Sequence, residues 1–113
     1  MKNYTLDISP RVVEQIKSIR RYIADVKLSP ATADKVAESI FEEISSLVTF
    51  PERGFDDDQK LGVKIDKEGD KKTYGIVILE RKYILLYSIN EDDLLVEVSY
   101  LFSTKTDYAK IFL

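Results

Sequence analysis

The titratable side chains of this sequence restrict the chemistry that it can perform. The chain has 113 residues and contains neither cysteine nor histidine. Disulfides and thiolate metal sites are therefore excluded, and the chain lacks both the usual general base near neutral pH and the commonest metal ligand. Acid–base chemistry would have to use aspartate, glutamate, lysine, arginine or tyrosine. We expect neither a metal nor a cofactor.

Two short segments place such side chains close together. Arg81 and Lys82 form a predicted turn between two apolar runs, and Lys105 and Tyr108 lie in the segment Lys-Thr-Asp-Tyr near the end of the chain. Lysine and arginine can hold an anionic group, and tyrosine can carry a proton. Alternatively, these residues have only structural roles. Arg81 and Lys82 would then lie in an ordinary solvated turn, and Tyr108 would be a packing residue that anchors the tail.

The aspartate triplet Asp56-Asp57-Asp58 resembles a calcium ligand set only superficially. EF-hand loops alternate their ligands and need a glycine and a distal glutamate at fixed offsets, and the sequence here has neither. We therefore do not predict a calcium site.

The formal net charge of −3 is unevenly distributed along the chain. Residues 1–30 carry six bases against three acids, residues 31–70 carry five against eleven, and residues 71–113 carry six of each. The whole chain lacks the electrostatic footprint of a nucleic-acid-binding protein. A basic face on the first predicted helix is either a local binding surface or an ordinary solvated face.

Two amphipathic helices are predicted between Ser9 and Gly54. The pairs Ser9-Pro10 and Ser29-Pro30 each suit an N-cap followed by the first helical residue. Apolar residues then recur at helical spacing, from Val12 to Val26 and from Ala33 to Val48. Because their connection is short, the two helices should run antiparallel as an αα-hairpin, which the segment Phe50-Pro51-Glu52-Arg53-Gly54 ends.

Strand patterns flank this hairpin on both sides. A short strand is predicted at residues 4–8, and three more at residues 74–79, 83–89 and 94–102. The last should place Leu94, Val96, Val98, Tyr100 and Phe102 on one side. Residues 55–72 are predicted to form a mobile loop, with a short strand suggested at Gly62–Ile65.

The order β-α-α-β-β-β predicts an α+β fold in which an antiparallel-type sheet carries the αα-hairpin on one face. The length and the apolar fraction of 44% suit one domain over residues 1–113. The sequence has no pattern of a signal peptide and no apolar run of transmembrane length, so we expect a cytoplasmic protein with no membrane partner.

In this order the motifs resemble the RelE/ParE superfamily, the toxins of bacterial type II toxin–antitoxin modules, also described as plasmid stabilisation proteins. The hairpin, the Phe50–Gly54 segment, the run from Tyr83 to Asp92, the Val96-Glu97-Val98 strand and the ending around Lys105–Tyr108 carry the resemblance. It spans nearly the whole chain. It implies a growth-inhibiting toxin of an addiction module, neutralised by a cognate antitoxin.

The family divides by target. RelE-like toxins are ribosome-dependent ribonucleases that cut mRNA without a metal, whereas ParE-like toxins block DNA gyrase and need no catalytic residues. Where the resemblance places the RelE-type bases, this chain has Gly75, Val77 and Ile84, and Ser103 stands in place of a histidine. The substitutions favour ParE-like inhibition by binding.

Three alternatives stay open, and one of them is a toxin with an unrecognised target. If the chain is a ribonuclease, Lys105 and Tyr108 are the candidate catalytic residues. If it has lost its activity, it is a non-toxic relic that serves as a partner-binding module. In the toxin reading, Arg81 and Lys82 are the candidate target-binding residues.

A protein partner is expected because the strands at 74–79 and 83–89 are apolar on both faces, while two helices can cover only one. Contiguous apolar surface usually marks an interaction site. An antitoxin segment could fold onto it as a helix or an added strand. The predicted antitoxin-binding residues are Tyr83, Leu85, Tyr87, Phe102 and Phe112. Alternatively, the tail at residues 111–113 folds back over the open face.

Overall fold

The two Ser-Pro pairs begin the two long helices, as predicted. In the computed structural model, which describes residues 3–61, 65 and 72–112, helix α1 spans Pro10–Asp25 and helix α2 spans Pro30–Ser46. The side chain of Ser9 caps α1 by accepting a hydrogen bond of 3.4 Å from the backbone N–H of Arg11. Ser29 instead donates to the hydroxyl of Thr32 at 2.8 Å. Strand β1, Thr5–Ile8, precedes the hairpin.

The remaining elements follow the hairpin. A single turn of 3-10 helix at Pro51–Arg53 leads into β2, Phe55–Asp56, and helix α3, Asp57–Leu61. Strands β3, Thr73–Ile78, β4, Tyr83–Asn90, and β5, Leu95–Ser103, come next, and helix α4, Ala109–Phe112, ends the described chain. The five strands form one sheet in the order β1-β5-β4-β3-β2. All pairs are antiparallel except β1 with β5, which is parallel.

The α+β fold class is confirmed, but the loop predicted over residues 55–72 is wrong for its first part. Phe55 in β2 pairs with Gly75 in β3, and the carboxylate of Asp56 caps α3 by accepting from the backbone N–H of Gln59 at 3.0 Å. A short strand was also suggested at Gly62–Ile65, but residues 62–64 lie outside the described residues. Ile65 itself forms a bend and is buried.

The sheet separates two apolar regions. The first, here called the helix-side core, lies between the hairpin and the sheet and consists of Val12, Ile16, Ile40, Ile44, Leu47, Ile78, Leu85, Tyr87, Val96, Val98 and Leu101. The second, here called the tail-side cluster, lies on the opposite face and joins Ile65, Ile84, Leu86 and Phe112 to the flanking Phe55, Tyr100, Phe102 and Tyr108. Phe112 of the tail therefore packs on the face of the sheet that the sequence pattern left open.

A β-bulge in β5 corrects the predicted alternation of that strand. Leu86 pairs with Tyr100, but the next residue, Tyr87, pairs with Val98, so Ser99 is an extra residue without a partner in β4. One extra residue exchanges the two faces of a strand, because side chains alternate with a period of two. Val98 therefore faces the helices, whereas Tyr100 and Phe102 face the tail.

The segment after the hairpin is fixed by the hydroxyl of Tyr87. This hydroxyl donates to the carbonyl oxygen of Pro51 at 2.6 Å and accepts from the backbone N–H of Gly54 at 3.1 Å. A Cβ atom at Gly54 would lie 2.5 Å from that hydroxyl oxygen and 2.6 Å from the carbonyl oxygen of Gly75. Glycine is required here because no side chain fits between these two oxygens.

Candidate interaction groove

A groove runs between the helical hairpin and one end of the sheet. Its volume is about 1020 Å³, and it lies between α1 and α2 on one side and the β3–β4 turn with the end of β5 on the other. Half-buried apolar side chains form its floor, among them Ile19, Val36, Leu79 and Tyr83, which pack against the helix-side core. We call this feature the basic groove, for the residues on its rim.

Five exposed basic side chains line the basic groove. They are Lys27, Lys35, Arg81, Lys82 and Lys105. Glu80 is the one acidic side chain among the described residues that line it. Within residues 3–61, 65 and 72–112, none of the five bases forms an ion pair, whereas Arg20 and Arg53 elsewhere do. A chain with a net charge of −3 thus gathers five bases against one acid at one groove.

The turn that carries Arg81 has an unusual backbone. Leu79, Glu80 and Arg81 have φ angles of 50°, 56° and 65°, so three consecutive residues are left-handed. A left-handed conformation costs a residue other than glycine about 1–2 kcal/mol. Such strain persists only where neighbouring structure holds it, and it clusters at functional sites.

Thr104, the residue after β5, holds this turn in place. Its hydroxyl donates to the carbonyl oxygen of Arg81 at 2.6 Å, and its backbone N–H donates to the carbonyl oxygen of Lys82 at 3.0 Å. The backbone N–H of Lys82 in turn donates to the carbonyl oxygen of Leu79 at 3.1 Å. The backbone that carries Arg81 and Lys82 is therefore fixed on the groove wall before any partner binds.

The structure separates the two predicted catalytic residues. Lys105 lines the basic groove, whereas Tyr108 belongs to the tail-side cluster, where its ring stacks on Phe102 with centroids 5.4 Å apart. The Tyr108 hydroxyl donates to Oδ1 of Asp57 at 3.0 Å. Burial, and then the hydrogen bond to Asp57 and its charge, raise the pKa of Tyr108 well above its ordinary value of 10.0. This hydroxyl therefore keeps its proton and is already committed to a buried partner.

The carboxylate that holds Tyr108 is itself buried. Asp57 has an exposed fraction of 0%, and its Oδ2 finds no hydrogen-bond partner among the described residues. Burial is the main cause that raises the pKa of Asp57 above its ordinary value of 3.8, opposed by the hydrogen bond from Tyr108 and the charge of Lys60. The neighbouring charges of Asp58 and Asp56 raise it further.

Each aspartate of the triplet has its own structural partner. Asp56 caps α3 and pairs with Lys72 at 3.4 Å, and Asp57 binds Tyr108. Asp58 accepts from the backbone N–H groups of Ile65 and Thr73 at 2.8 and 2.9 Å. The three carboxylates thus tie α3 to β3 and to the tail. In the described part of the chain, no group of three or more acidic residues is arranged to hold a metal ion.

The positions at which the resemblance expects RelE-type bases are apolar. Gly75 lies against the ring of Phe55, because a Cβ atom there would be 2.7 Å from Cζ of that ring. Ile84 is buried in the tail-side cluster, and Val77 is partly exposed. Ser103 accepts a hydrogen bond from the backbone N–H of Lys105 at 3.2 Å. This face of the sheet offers no cation to a phosphate at those positions.

The five predicted antitoxin-binding residues do not form one surface. Leu85 and Tyr87 are fully buried in the helix-side core, and Phe112, in the tail itself, is 6% exposed against the sheet. Phe102 is half-buried in the tail-side cluster, on the opposite face of the sheet. Tyr83 alone lines the basic groove. The strand pattern could not distinguish these environments, because both faces of β4 are apolar and both are covered.

The sequence did not indicate three residues of the groove. Lys27 was indistinguishable from other solvated bases, and nothing marked Thr104 as the residue that holds the turn. Their importance comes from tertiary contacts between the hairpin and the sheet. The one signal in the sequence was the position of Lys35, a lysine on the outward face of a helix that is otherwise acidic.

No helix of the described residues is long and apolar enough to cross a membrane.

The fold is that of a small α+β domain with a helical hairpin on one face of a five-stranded sheet. A family model described as the ParE toxin of the type II toxin–antitoxin system, parDE, matches residues 6–108. The chain therefore belongs to the ParE toxin family of type II toxin–antitoxin systems. No curated protein sequence matches the chain.

Solved structures of such toxins share the fold. A structure of the chromosomal ParDE toxin–antitoxin system from P. aeruginosa superposes with a TM-score of 0.66 at 11% identity, covering 89% of this chain and 96% of that chain. The archaeal RelE–RelB complex from Pyrococcus horikoshii OT3 gives 0.54 at 19% identity, with 90% and 96% covered. A double mutant of E. coli toxin RelE in the free state gives 0.55 at 16% identity, with 99% and 94% covered.

Proposed function

We propose that this toxin inhibits growth by binding its target, in the manner of ParE-like inhibition of DNA gyrase, and not by cutting RNA. The single observation that carries this proposal is the tail-side cluster. Ile84, Phe102 and Phe112 fill the face of the sheet on which the RelE resemblance expects cationic side chains. An oxyphosphorane transition state needs preorganised positive charge, and these three apolar side chains cannot supply it. Two cations on this face, Arg11 and Lys60, lie instead over the rings of Tyr100 and Phe55.

The basic groove is the proposed target-binding surface. Arg81 and Lys82 were predicted as target-binding residues, and they lie on one wall of the groove with Lys105. The rigid turn beneath them lowers the entropic cost of binding, because it is ordered in the free protein.

An antitoxin is the proposed protein partner, encoded next to the toxin and acting in the cytoplasm. Phe102 and Phe112, two of the predicted antitoxin-binding residues, lie in the tail-side cluster, and the adjacent Ile111 is 59% exposed. We assign the antitoxin to this side of the molecule. Its contact with the protein would then leave the basic groove as a separate surface.

Induction of the protein alone in bacteria tests the proposal. We expect arrested growth, an SOS response and intact mRNA, and relief of the arrest when the small protein encoded beside the toxin is co-expressed. Prompt loss of mRNA without an SOS response would contradict inhibition of gyrase. Harmless expression at a high level would instead identify the non-toxic relic.

A RelE-like ribonuclease is the second candidate, and the basic groove is the observation that favours it. Lys105 lies beside Arg81 and Lys82, and such a cluster can hold phosphate groups. In this reading Lys105 and Tyr108 carry the chemistry. A Lys105→Ala/Tyr108→Phe variant would then lose its toxicity while remaining folded. Our proposal instead expects this double variant to be as toxic as Lys105→Ala alone, because the substitution of Tyr108 should add nothing.

A further inference from the structure

A second cavity lies on the tail side of the sheet. Its volume is about 530 Å³, and its walls come from the start of α1, the start of β3, the second half of β4, the middle of β5 and the tail. Pockets for small ligands usually occupy about 300–1,000 Å³. Among the described residues, none lines both this cavity and the basic groove. It is therefore a separate site, which we call the polar cavity.

Three polar side chains on neighbouring strands line the polar cavity. Thr73 in β3 pairs with Ser88 in β4, and Ser88 pairs in turn with Glu97 in β5. Because directly opposed residues of antiparallel strands place their side chains on the same face, the three form one row across the sheet. The next row contains Leu86 of the tail-side cluster. A polar row thus borders an apolar one on this face.

The hydroxyl groups of Thr73 and Ser88 point to a ligand. The two residues are 4% and 6% exposed, and neither hydroxyl forms a hydrogen bond within residues 3–61, 65 and 72–112. Thr73 bonds to Asp58 only through its backbone N–H, at 2.9 Å. Buried hydroxyls are normally hydrogen-bonded. Since both side chains line the polar cavity, a polar group inside it is the partner that they can reach.

Two side chains of opposite charge also face the polar cavity. Arg11, at the start of α1, has its Cζ 4.4 Å from the centre of the Tyr100 ring. A guanidinium stacked on a ring can still bind a carboxylate with the N–H groups of its edge. Glu97 already has an interaction of its own, but a carboxylate has about four lone-pair sites and can accept further hydrogen bonds. In the described part of the chain Arg11 forms no ion pair, so these two charges do not neutralise each other.

The tail supplies an apolar wall to the polar cavity. Ile111 is 59% exposed and Phe112 is 6% exposed, and both line the cavity. The ring of Phe112 meets the ring of Tyr100 edge to face, with centroids 5.0 Å apart. The apolar wall is therefore continuous with the ring on which Arg11 lies.

We infer that the polar cavity binds a free α-amino acid with an apolar side chain. Arg11 binds the carboxylate of this ligand. Glu97 accepts from its ammonium group, and the hydroxyls of Thr73 and Ser88 complete the hydrogen bonds of the two charged groups. The apolar wall contacts the side chain of the ligand. The inference is independent of the proposed function, because it involves neither a target nor the basic groove.

The charges of the polar cavity favour a zwitterion over other small ligands. A phosphate ion would be attracted by Arg11 and repelled by Glu97, and a simple amine would meet the opposite arrangement. The terminus of a longer peptide carries only one of the two charges. An α-amino acid carries both charges and a side chain on one carbon atom. It therefore matches a cavity whose described lining residues include one base and one acid.

The first experiment titrates the full chain with L-leucine and L-phenylalanine, followed by calorimetry and amide NMR shifts. We expect saturable binding with shifts centred on Thr73, Ser88 and Ser99. N-acetyl-L-leucine lacks the ammonium group and L-leucinamide lacks the carboxylate. Each should bind about tenfold more weakly than leucine, because each loses hydrogen bonds between charged groups.

Three results of this titration would overturn the inference. No saturable shift with either amino acid would assign the two hydroxyls to water. Inorganic phosphate that shifts the same amides at a lower concentration than leucine would assign the cavity to an anion. N-acetyl-L-leucine that binds as tightly as leucine would remove Glu97 from recognition.

The second experiment separates ligand binding from a structural role. Thr73→Val keeps the shape of the side chain and removes its hydroxyl. We expect leucine to bind about tenfold more weakly, while the urea midpoint of the protein without ligand does not fall, because this hydroxyl has no partner in the described chain. A lower midpoint with unchanged affinity would contradict the inference, because the hydroxyl would then serve only the fold.

The role of Arg11 is tested with a matched control on the same helix. Arg11→Gln should weaken the binding of leucine about tenfold and leave the binding of L-leucinamide unchanged, because leucinamide has no carboxylate. Lys17→Gln removes the same charge outside the polar cavity and should bind leucine like the wild type. Equal losses for leucine and leucinamide, or wild-type affinity of Arg11→Gln for leucine, would contradict the assigned orientation of the ligand.

Discussion

The hydroxyl of Tyr108 donates a hydrogen bond of 3.0 Å to Oδ1 of Asp57, and Asp57 is fully buried. This bond joins the tail to α3 and places beneath the C-terminal segment a carboxylate whose other oxygen has no hydrogen-bond partner within residues 3–61, 65 and 72–112. Tyr108 would serve RNA cleavage only by giving up this bond, which would leave Asp57 buried without its donor. We therefore regard the pair as structural, and the first two predictions follow from it.

Asp57→Asn should stabilise the protein at pH 7. The pKa of Asp57 is raised in the folded state, so folding favours the protonated form. The stability that this group contributes is therefore fully present below the unfolded pKa and is lost as the pH rises through the folded pKa. Asparagine removes that loss and keeps an acceptor for Tyr108. Urea unfolding of both proteins between pH 3 and pH 8 should show an advantage of the variant that shrinks as the pH falls; a difference independent of pH would contradict this prediction.

Tyr108→Phe should weaken the fold and leave the activity of the folded protein unchanged. The ring keeps its stacking on Phe102, but Asp57 loses its donor, and an unsatisfied buried group costs about 1–3 kcal/mol. Urea unfolding measures the loss of stability. Toxicity compared at equal amounts of folded protein measures the activity. A normally stable but non-toxic variant would show that the hydroxyl acts in chemistry.

Gly54→Ala should destabilise the protein by about 1–3 kcal/mol, the usual cost of an added methyl group in a filled site. Its Cβ atom would meet both the hydroxyl oxygen of Tyr87 and the backbone carbonyl of Gly75. Tyr87→Phe serves as the companion variant, because it removes the hydroxyl that holds Pro51 and Gly54 without adding an atom. Thermal or urea unfolding of both should show clear losses, and an unchanged midpoint for Gly54→Ala would mean that the segment after the hairpin is not held as described.

Glu80→Gly should stabilise the protein by about 0.5–1 kcal/mol. Glu80 is exposed and has a φ of 56°, a conformation that glycine adopts without the cost of a Cβ atom, although its greater freedom in the unfolded chain reduces the gain. The control is Glu80→Ala, which removes the same carboxylate and keeps the strain. Equal stability of the two variants would indicate that the left-handed turn is not strained.

The hairpin could be predicted from the sequence because its signals are local. Ser9-Pro10 and Ser29-Pro30 begin the helices where expected, and the apolar stripe that contains Ile40 and Ile44 faces the sheet. The order of the main strands was likewise confirmed. Each of these features depends on residues within one or two turns of each other.

The errors concern contacts between distant parts of the chain. The extra residue Ser99 exchanges the faces of β5. The alternating pattern of Leu94–Phe102 contains no signal that indicates this bulge. The tail buries Phe112 against a face that the pattern left open. The groove itself was not predicted. Arg81 and Lys82 were named as target-binding residues and Lys105 as a catalytic one, and Lys27 and Lys35 join them only when the hairpin packs against the sheet.

Inhibition by binding is the central claim, and purified protein free of antitoxin tests it most directly. The protein is added in parallel to DNA gyrase with relaxed plasmid and to ribosomes that translate a defined mRNA, with Lys35→Glu/Arg81→Glu and Lys17→Glu/Arg21→Glu as the groove variant and its control. We predict that the wild type and the control block supercoiling, that the groove variant does not, and that the mRNA stays intact. Cleaved mRNA together with normal supercoiling would contradict the claim.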